Sequence, residues 1–271
     1  MPEPFDLTGK TAIVTGGAGI LGRGFCAALV ASGANVAVVD VAAEAAEEVA
    51  REIGGSSSGA RAASFGCDVS DPESVARMVS AVQACFGSVQ VLVNNAATKT
   101  ADPDAFFARF EEYELAEWRR VMSVNLDGMF LVAQAVGRLL VRQEQGGSII
   151  QTASVYGVVA PDPRIYAGSS YQGRPINTPA VYSASKAGVI GLTRYLAAYW
   201  GPQRIRVNAL TPGGVSSGQN ETFQRLYGAR VPLGRMAERT ELQGAVVFLA
   251  SDAASYVTGQ NLIVDGGLTC W

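Results

Sequence analysis

Short apolar stretches alternate with amphipathic stretches along the 271-residue chain. The apolar stretches are typical of buried strands, and the amphipathic ones have the period of helices. The pattern predicts strands at 11–16, 35–40, within 60–69, and at 88–96, 147–154, 204–210 and 260–267. It predicts helices at 20–32, 43–53, from 71 to about 86, and at 114–142 and 180–200.

Strands that alternate with helices predict an α/β fold, a doubly wound parallel sheet of seven strands with helices on both faces. The sequence shows no linker and no change in composition, so we expect residues 1–271 to form a single domain. Residues 158–179 interrupt the pattern, because they are rich in Pro, Gly, Ser and Tyr and have no period. Loops of this length are usually functional or disordered, and we expect a substrate loop here.

Composition and charge narrow the classes of function. Hydrophobic residues make up 48% of the chain and charged residues 17%, which suits a packed domain. The net charge of −3 gives no reason to expect nucleic acid or an anionic membrane as a partner. The chain has no histidine and its four cysteines form no CxxC pair, so no metal is expected. No signal peptide and no apolar run of about 18 residues is found, which predicts a cytoplasmic protein.

A glycine-rich turn, TGGAGILG at 15–22, follows the first predicted strand and opens the first helix. Gly16, Gly19 and Gly22 allow the backbone to approach a pyrophosphate, and the helix N-terminus supplies free N–H donors. Asp40 ends the second predicted strand, where a carboxylate binds the adenosine ribose of NAD and repels the 2′-phosphate of NADP. The turn and Asp40 predict NAD in preference to NADP. The alternative for Asp40 is a cap on the next helix.

Tyr182 and Lys186, in YSASK, share one face of the helix predicted at 180–200. The chain has three lysines, Lys10, Lys99 and Lys186, and uses arginine for its other positive side chains. A phenol has a normal pKa of about 10, and it acts as a base near neutral pH only when a positive charge stabilises the phenolate. One interpretation is therefore an acid/base pair. The other is a solvated pair of neighbours without a role.

Motifs in order over nearly the whole chain resemble the short-chain dehydrogenase/reductase family, in its single-domain branch with a Rossmann-type fold. They are TGGAGILG, NNAA at 94–97, Asn125 in VNLDG, Ser154 in TASVYG, YSASK, PGGV at 212–215 and SDAASYVTGQNLIVDGG at 251–267. The resemblance implies an enzyme that interconverts a secondary alcohol and a ketone by hydride transfer with NAD. It also implies a homotetramer or homodimer, and we expect Trp271 to pack at a subunit interface or near a neighbouring substrate pocket.

The resemblance implies roles for individual residues. Tyr182 is expected to be the general acid/base, and Lys186 to lower its pKa and hold the nicotinamide ribose. Ser154 is expected to bind the substrate oxygen, and Asn125 to shape its helix and hold a water in a proton relay behind Lys186. Asp68 is expected at the adenine. The full set of implied cofactor contacts is Gly16, Gly19, Ile20, Leu21, Asp40, Asp68, Val69, Asn94, Ala96, Tyr182, Lys186, Pro212, Gly213 and Val215.

Two features depart from the usual pattern of the single-domain branch. Ile20 stands where that branch has a glycine, and this spacing resembles the extended branch of sugar-nucleotide epimerases and dehydratases. The VDGG ending favours the single-domain branch, so we treat Ile20 as a local variant. Ser154 precedes Tyr182 by 28 residues, which is longer than usual, and the extra length is the 158–179 segment.

The 158–179 segment combines polar and aromatic residues, which suits a sugar, a sugar phosphate or a sugar acid. Arg164 and Arg174 in the segment, and Lys99 after NNAA, are candidate substrate contacts. The alternative is a solvated loop that only covers its neighbours. A softer resemblance to gluconate-type dehydrogenases and to reductases of nonulosonic-sugar pathways favours the sugar hypothesis. Reductases that act on 3-oxoacyl thioesters mostly use NADPH, and Asp40 argues against them.

Several functions stay open at this point. The leading hypothesis is an NAD-dependent oxidoreductase for a sugar, a sugar acid or another polar hydroxy compound, and a 3-oxoacyl thioester reductase is the alternative within the same class. An NAD-binding regulatory protein without turnover is an alternative of another class, against which the complete set of Ser154, Tyr182, Lys186 and Asn125 argues. An epimerase or dehydratase that retains its NAD is suggested by the glycine spacing alone.

Overall fold

The computed structural model describes residues 3–54, 59–98, 102–171 and 174–271. Within these ranges, seven parallel strands form one sheet in the order β3-β2-β1-β4-β5-β8-β9. They are β1 (Thr11–Thr15), β2 (Asn35–Asp40), β3 (Ala62–Gly66), β4 (Val91–Asn94), β5 (Gly147–Thr152), β8 (Ile205–Pro212) and β9 (Asn261–Val264). The predicted doubly wound α/β fold is confirmed. A short antiparallel pair, β6 (Ser170–Tyr171) and β7 (Arg174–Pro175), lies outside this sheet.

Helices cover both faces of the sheet. They are α1 (Ile20–Ala31), α2 (Ala43–Ile53), α3 (Pro72–Phe86), α4 (Pro103–Phe106), α5 (Leu115–Met122), α6 (Met129–Gln143), α7 (Ala180–Trp200), α8 (Glu221–Gly228) and α9 (Gln243–Ala250). The start of α3 shows how the sequence sets a boundary. The carboxylate of Asp71 accepts hydrogen bonds from the backbone N–H groups of Glu73 and Ser74, at 3.0 and 3.1 Å, and Pro72 occupies the first turn.

The central strands are buried on both faces, because consecutive side chains of a strand point to opposite sides of the sheet. In β1, Ala12 and Val14 belong to the apolar layer under α1, α2 and α9. Ile13 belongs to the opposite layer under α3, α6 and the end of α7. This double burial explains why the strands are unbroken apolar runs, and why those runs located them in the sequence.

Two parts of the helical pattern differ from the prediction. The helix predicted at 114–142 contains a π-helical turn at Ser123–Gly128, between α5 and α6. Helices α4, α8 and α9 were not predicted, because short runs such as those of α4 and α9 do not distinguish a helix from a strand by their period. The predicted strand at 88–96 is shorter in the structure at both ends, since β4 runs from Val91 to Asn94.

One helical stretch, Leu115–Gln143, is long and apolar enough to cross a membrane by length and composition alone. Half of its most apolar window is buried inside the fold, as in the core helix of a soluble protein. Val132, Val136 and Leu140 of this stretch pack in the layer under α3 and α6. Core packing therefore accounts for its apolar composition.

The strand order reverses at β1, which lies between β2 and β4. At such a switch point the connections after neighbouring strands run to opposite faces of the sheet, and a crevice opens at the carboxyl ends of the strands. This topology brings to the same edge of the sheet, where the crevice opens, the residues that follow β1, β4, β5 and β8.

Candidate active site

A cavity of about 660 Å³ lies at this edge of the sheet. Its volume falls within the range of roughly 300–1,000 Å³ that is typical of small-molecule and cofactor sites. The predicted residues that line it are Gly16, Gly19, Ile20, Leu21, Asp40, Asp68, Val69, Ala96, Ser154, Tyr182, Lys186, Pro212, Gly213 and Val215. Residues that are far apart in the sequence are thus brought together around one cavity.

The glycine turn brings backbone close to the cavity. Gly16 has a φ of +63°, and a Cβ at this position would lie 2.9 Å from the Cα of Ala96. A Cβ on Gly22 would lie 2.0 Å from the carbonyl oxygen of Gly16, so α1 packs directly on the turn. Helix α1 begins after Gly19 without a side-chain cap, at the half-exposed Ile20. A tight backbone turn followed by uncapped N–H groups fits the pyrophosphate of a dinucleotide.

Asp40 ends β2 and joins the glycine turn to the start of α2. Its carboxylate accepts hydrogen bonds from the backbone N–H groups of Ala18 and Ala42, each at 3.1 Å. The N-cap of α2 is Ala42, so Asp40 orders the approach to the helix and also lines the cavity. Among the described lining residues the cationic side chain is Lys186, which contacts the end of β5 rather than Asp40. This part of the cavity therefore offers negative charge.

The turn after β3 forms another part of the lining. The carboxylate of Asp68 accepts hydrogen bonds from the backbone N–H of Ser70 at 2.9 Å and from its hydroxyl at 2.6 Å. Val69 packs against Gly128, where a Cβ would lie 2.9 Å from the valine side chain. Val41 and Val69 both line the cavity, so a polar Asp68 stands between apolar surfaces. Such a surface suits a flat, partly polar ring.

The structure does not place the Asn94 side chain in the cavity. Asn94 is buried, accepts a hydrogen bond from the Thr15 hydroxyl at 3.2 Å and donates one to the carbonyl oxygen of Met129 at 2.8 Å. The Thr15 hydroxyl in turn accepts from the backbone N–H groups of Asn95 and Ala96. Asn94 thus orders the turn that lines the cavity, and Asn95 is the asparagine exposed to it. Side chains alternate along a strand, and the motif alone does not show which of two neighbours faces the site.

Tyr182 and Lys186 lie one turn apart near the start of α7, and Ser154 lines the same cavity. Lys186 is 2% exposed, and its Nζ donates a hydrogen bond to the carbonyl oxygen of Thr152 at 2.9 Å. The same Nζ lies 6.0 Å from the centre of the Tyr182 ring. A phenol, a hydroxyl and an ammonium therefore meet in one cavity, which is the arrangement that acid/base chemistry on an alcohol requires.

Burial controls the ionisation of this pair. It raises the pKa of Tyr182, and the nearby polar hydroxyl of Ser154 opposes that rise. It lowers the pKa of Lys186 to about 8. The sequence led us to expect Lys186 to lower the pKa of the phenol, whereas the protein groups together raise it, because desolvation disfavours the phenolate more than its neighbours stabilise it.

Asn125 lies in the π-helical turn and is fully buried. Its side-chain oxygen accepts a hydrogen bond from the backbone N–H of Thr98 at 2.8 Å. Its Nδ2 has no hydrogen-bond partner within the described ranges. A buried amide donor left unpaired costs free energy, so its surroundings suit a small polar partner. Asn125 does not itself line the cavity.

The structure gives different results for the three residues that the sequence predicted as substrate contacts. Arg164 is outside the cavity, where its guanidinium donates to the carboxylate of Asp162 at 2.8–3.1 Å and is 86% exposed. Asp162 also pairs with Arg230, which ties the 158–179 segment to the chain after α8. The guanidinium of Arg164 is therefore already paired with a carboxylate. Lys99 lies outside the described residues, and for Arg174 the structure describes the β7 backbone and not the side chain.

Three tyrosines around Tyr182 had no assigned role in the sequence. Tyr156, Tyr166 and Tyr227 each interact electrostatically with Tyr182. Tyr227 is 2% exposed, and its hydroxyl accepts a hydrogen bond from the backbone N–H of Gly214 at 2.5 Å. Tyr156 and Tyr166 belong to stretches without a helical or strand period, which is why the pattern did not single them out.

Burial of Lys186 predicts a pH dependence of stability. The folded-state pKa is about 8 and the ordinary value is 10.5, so the unfolded chain binds an extra proton between these values and stability rises with pH there. At roughly 1.36 kcal/mol per pKa unit, the free energy of unfolding should gain about 2 kcal/mol between about pH 7 and 10 relative to Lys186→Met. Urea unfolding of both proteins over this range measures the difference. Comparison with the variant cancels the buried thiols of Cys26 and Cys67, which titrate in the unfolded chain with the opposite sign.

The matched control is Lys10→Met, because the Lys10 ammonium pairs with Asp252 near the surface at 2.7 Å. We expect its difference from the wild type to stay nearly constant over the same pH range. Equal pH dependence for the two variants would show that burial of Lys186 is not the cause.

The chain is similar over nearly its whole length to named dehydrogenases. A family model described as enoyl-(acyl carrier protein) reductase matches residues 16–269. D-threitol dehydrogenase of Mycolicibacterium smegmatis is 37% identical, over 98% of this chain and 95% of its own length. 2,5-dichloro-2,5-cyclohexadiene-1,4-diol dehydrogenase of Sphingobium indicum is 40% identical, over 97% of this chain and 98% of its own length.

Solved structures of dehydrogenases are also similar to this chain. The crystal structure of a gluconate 5-dehydrogenase from Burkholderia cenocepacia, in complex with NADP and tartrate, matches with a TM-score of 0.85 and 33% identity. The match covers 99% of this chain and 98% of that one. A short-chain type dehydrogenase/reductase from Mycobacterium marinum matches with a TM-score of 0.84 and 34% identity, over 99% and 98% of the two chains. Together with the parallel sheet and the motifs along it, these matches show that the chain belongs to the short-chain dehydrogenase/reductase family of oxidoreductases.

Proposed function

We propose that this protein is an NAD-dependent dehydrogenase that interconverts a secondary alcohol and a ketone in a polyol, a sugar or a sugar acid. The observation that carries the proposal is that Ser154, Tyr182 and the buried Lys186 line the same cavity as the glycine turn. A group able to transfer a proton and a surface that fits a dinucleotide therefore line the same cavity.

The lining fits a nicotinamide dinucleotide. The uncapped N-terminus of α1 would hold the pyrophosphate, since it offers free N–H groups and positive potential. Asp68 and Val69 would contact the adenine, and Pro212, Gly213 and Val215 would border the nicotinamide. The bound oxidised cofactor supplies the hydride acceptor.

The proton of the substrate would pass through Tyr182. In oxidation, the phenolate oxygen would take the proton of the substrate hydroxyl, while the carbon that bears this hydroxyl would lose its hydride. In reduction, the phenol returns a proton to the carbonyl oxygen. The Ser154 hydroxyl would hydrogen-bond the substrate oxygen and stabilise the negative charge that develops there.

Lys186 and Asn125 would support this transfer. Lys186 gives one ammonium hydrogen to the carbonyl oxygen of Thr152, so two remain for the ribose hydroxyls. Its positive charge, added to that of the oxidised nicotinamide, would offset the effect of burial and lower the pKa of Tyr182. The unpaired Nδ2 of Asn125 is where we place a water that would pass the proton onward from Lys186.

Asp40 supports a preference for NAD over NADP. Its carboxylate lines the cavity beside the glycine turn, and no arginine or lysine side chain accompanies it among the described lining residues near that turn. A 2′-phosphate there would meet like charge, whereas ribose hydroxyls would meet an acceptor. The Burkholderia gluconate 5-dehydrogenase was solved with NADP, so we attribute the preference to this chain's own Asp40 and not to its relatives.

The substrate class follows from the relatives and from the site. The named substrates of the two curated relatives are a four-carbon polyol and a cyclic diol, and the solved relative is a dehydrogenase of a sugar acid. These compounds share a secondary alcohol next to further polar groups. The hydroxyls of Ser154 and Tyr182 in the cavity suit such a compound, because hydrogen-bonding groups in a pocket fix its orientation.

We also propose a homotetrameric or homodimeric assembly in the cytoplasm. Support comes from aromatic side chains left exposed on the outer surface of α6 and α7, which are Phe130, Tyr195 and Tyr199. Trp271 is 76% exposed although its Nε1 donates to the carbonyl oxygen of Arg230, so a neighbouring subunit could cover it.

The test of the proposed function is a screen of cofactor reduction by the purified protein. NAD and NADP are each offered with D-threitol, galactitol, gluconate, a cyclohexane diol, a sugar phosphate and a 3-hydroxyacyl thioester. We expect the highest kcat/KM for NAD with a polyol or sugar acid. Turnover of the thioester alone would favour the 3-oxoacyl reductase, and cofactor binding without any turnover would favour a regulatory protein.

A further inference from the structure

Helix α8 contacts the loop at the end of the cavity where we place the nicotinamide. This 213–217 loop follows β8, and the residues of the loop and of the strand end that line the cavity are Pro212, Gly213, Val215 and Ser217. Between them, the backbone N–H of Gly214 donates a hydrogen bond to the hydroxyl of Tyr227 on α8, at 2.5 Å. Tyr227 therefore acts on the cavity wall through the backbone of the loop.

The contact between Tyr227 and the loop is close as well as polar. A Cβ on Gly214 would lie 2.6 Å from Cζ of Tyr227, which is too close for a real side chain. Gly214 is not among the glycines with a left-handed backbone. The Tyr227 ring, and not the backbone conformation, thus leaves no room for a side chain at this position. A glycine here allows the phenol oxygen to reach the N–H group.

Backbone hydrogen bonds hold the loop on its other sides. The carbonyl oxygen of Gly214 accepts a hydrogen bond from the backbone N–H of Ala237, at 2.9 Å. The N–H of Gly213 donates to the carbonyl oxygen of Val264, also at 2.9 Å. Both polar backbone groups of Gly214 are thus paired, and the partner of its N–H is a side chain. Removal of the Tyr227 hydroxyl would leave that N–H without its acceptor, which costs free energy.

Burial fixes the position of Tyr227. The residue is buried, and its ring centre lies 5.9 Å from that of Phe223, one turn earlier on α8. Burial raises the pKa of Tyr227 to about 12, so its hydroxyl stays protonated in the physiological range. Tyr227 is therefore a neutral acceptor in a fixed place, and not a second acid/base group beside Tyr182.

The 158–179 segment supports α8. The ring centre of Tyr166 in this segment lies 5.7 Å from that of Phe223. Asp162 of the same segment forms an ion pair with Arg230, which follows α8. The segment thus packs on the helix that carries Tyr227, and so contributes indirectly to the cavity wall.

We propose that Tyr227 is a positioning residue, which fixes the 213–217 loop through Gly214 and so prepares the nicotinamide end of the cavity. The proposal rests on the proposed function, because it assumes that this loop borders a nicotinamide. Without the hydroxyl, the Gly214 N–H has to turn towards water, and the loop has to return before the cofactor binds. The apparent affinity then falls in proportion to the fraction of molecules in which the loop is in place.

Two ligands distinguish the two ends of the cavity. NADH contains a nicotinamide and ADP-ribose does not, whereas both carry the adenosine and the pyrophosphate that the glycine turn and Asp40 would bind. Titration calorimetry gives the Kd of each ligand for the wild type and for Tyr227→Phe. We expect the variant to raise the Kd for NADH about tenfold and to leave that for ADP-ribose within about twofold. A factor of ten is about 1.4 kcal/mol, the size of one hydrogen bond.

A second variant changes the same contact from the side of the loop. Gly214→Ala places a Cβ against the Tyr227 ring, so the ratio of the Kd for NADH to that for ADP-ribose should rise as well. Its matched control is Gly244→Ala, because a Cβ there meets no atom of the described chain within 4 Å apart from its own helix. The matched control for Tyr227→Phe is Tyr166→Phe, which removes a hydroxyl that bonds Thr178 and not the loop. Both controls should keep the wild-type ratio.

The results distinguish this proposal from the proposed function. If the wild type binds NADH and Tyr227→Phe leaves the ratio unchanged, the positioning proposal is wrong and the proposed function stands. Equal losses of affinity for the two ligands would have the same consequence, because they would show a general loss of structure. If the wild type binds neither NADH nor NADPH, the proposed function fails and the positioning proposal fails with it. Should Tyr227→Phe not fold, Gly214→Ala decides by the same ratio.

Discussion

Replacement of Tyr182 by phenylalanine is expected to lower kcat by about 1,000-fold, within the range of roughly 10²–10⁴ that general acid/base catalysis contributes. The variant keeps the aromatic ring at the start of α7 and loses the phenol oxygen in the cavity that Ser154 also lines. Proton transfer from the substrate alcohol then has no acceptor at the right place. Steady-state turnover of the best substrate from the screen measures kcat, and a fluorescence titration measures the affinity for NADH. We expect that affinity to change by less than about threefold, because Lys186 and the glycine turn are untouched.

The matched control is Ser183→Ala, the adjacent position on the same helix turn. The Ser183 hydroxyl is buried and has no hydrogen-bond partner within the described ranges. Its removal therefore deletes an oxygen beside Tyr182 without deleting a contact, and kcat should stay near the wild-type value. If Tyr182→Phe kept a tenth or more of wild-type turnover, another group would have to move the proton, and the acid/base assignment would be wrong.

Removal of the charge of Asp40 is expected to change the preferred cofactor. Asp40→Asn should raise the ratio of kcat/KM for NADP to that for NAD by about 100-fold. Two like charges about 4 Å apart in a partly exposed site repel by up to about 4 kcal/mol, and a factor of 100 requires about 2.7 kcal/mol of this. The amide keeps an oxygen that accepts from the backbone N–H of Ala18 or Ala42, so the glycine turn stays ordered. Initial rates with both cofactors at saturating substrate give the ratio.

Asp40→Ala and Glu44→Gln complete this experiment. The alanine variant removes the charge and both hydrogen bonds, so we expect the same gain in relative NADP use and an additional loss of affinity for both cofactors. Glu44 lies in the first turn of α2, is exposed and does not line the cavity. Glu44→Gln therefore removes one negative charge from the same region without touching the site, and the ratio should stay unchanged. Equal ratios for Asp40→Asn and the wild type would contradict the proposed preference for NAD.

The strength of the local signal decided which elements were predictable. Strands β1 and β2 and helices α2, α3 and α7 lie within one or two residues of their predicted bounds, since apolar runs, a helical period and end signals such as Asp71-Pro72 agree there. Strand β4 is shorter than its apolar run, and the π turn at Ser123–Gly128 has no sequence signal of its own.

The residues of the candidate site also differ in whether the sequence could predict them. The glycine turn, Asp40, Ser154, Tyr182 and Lys186 could be found from the sequence, because each belongs to a short motif with a chemical reason for its spacing. All of them line one cavity in the structure. The polar and aromatic content of 158–179 suggested a role for the segment but singled out its arginines, and Arg164 is satisfied by Asp162 outside the cavity.

The sequence by itself determined the order of strands and helices, the turn that fits a dinucleotide, and the tyrosine and lysine one helical turn apart. Those features depend on residues close together in the chain, where backbone geometry allows few arrangements. Only the tertiary structure decided that the Asn94 side chain faces away from the cavity, that the Tyr166 hydroxyl contacts those of Tyr156 and Thr178, and that Phe223 of α8 packs on the Tyr166 ring. Such contacts join segments whose approach depends on the packing of the whole sheet and its helices, and no local period encodes that packing.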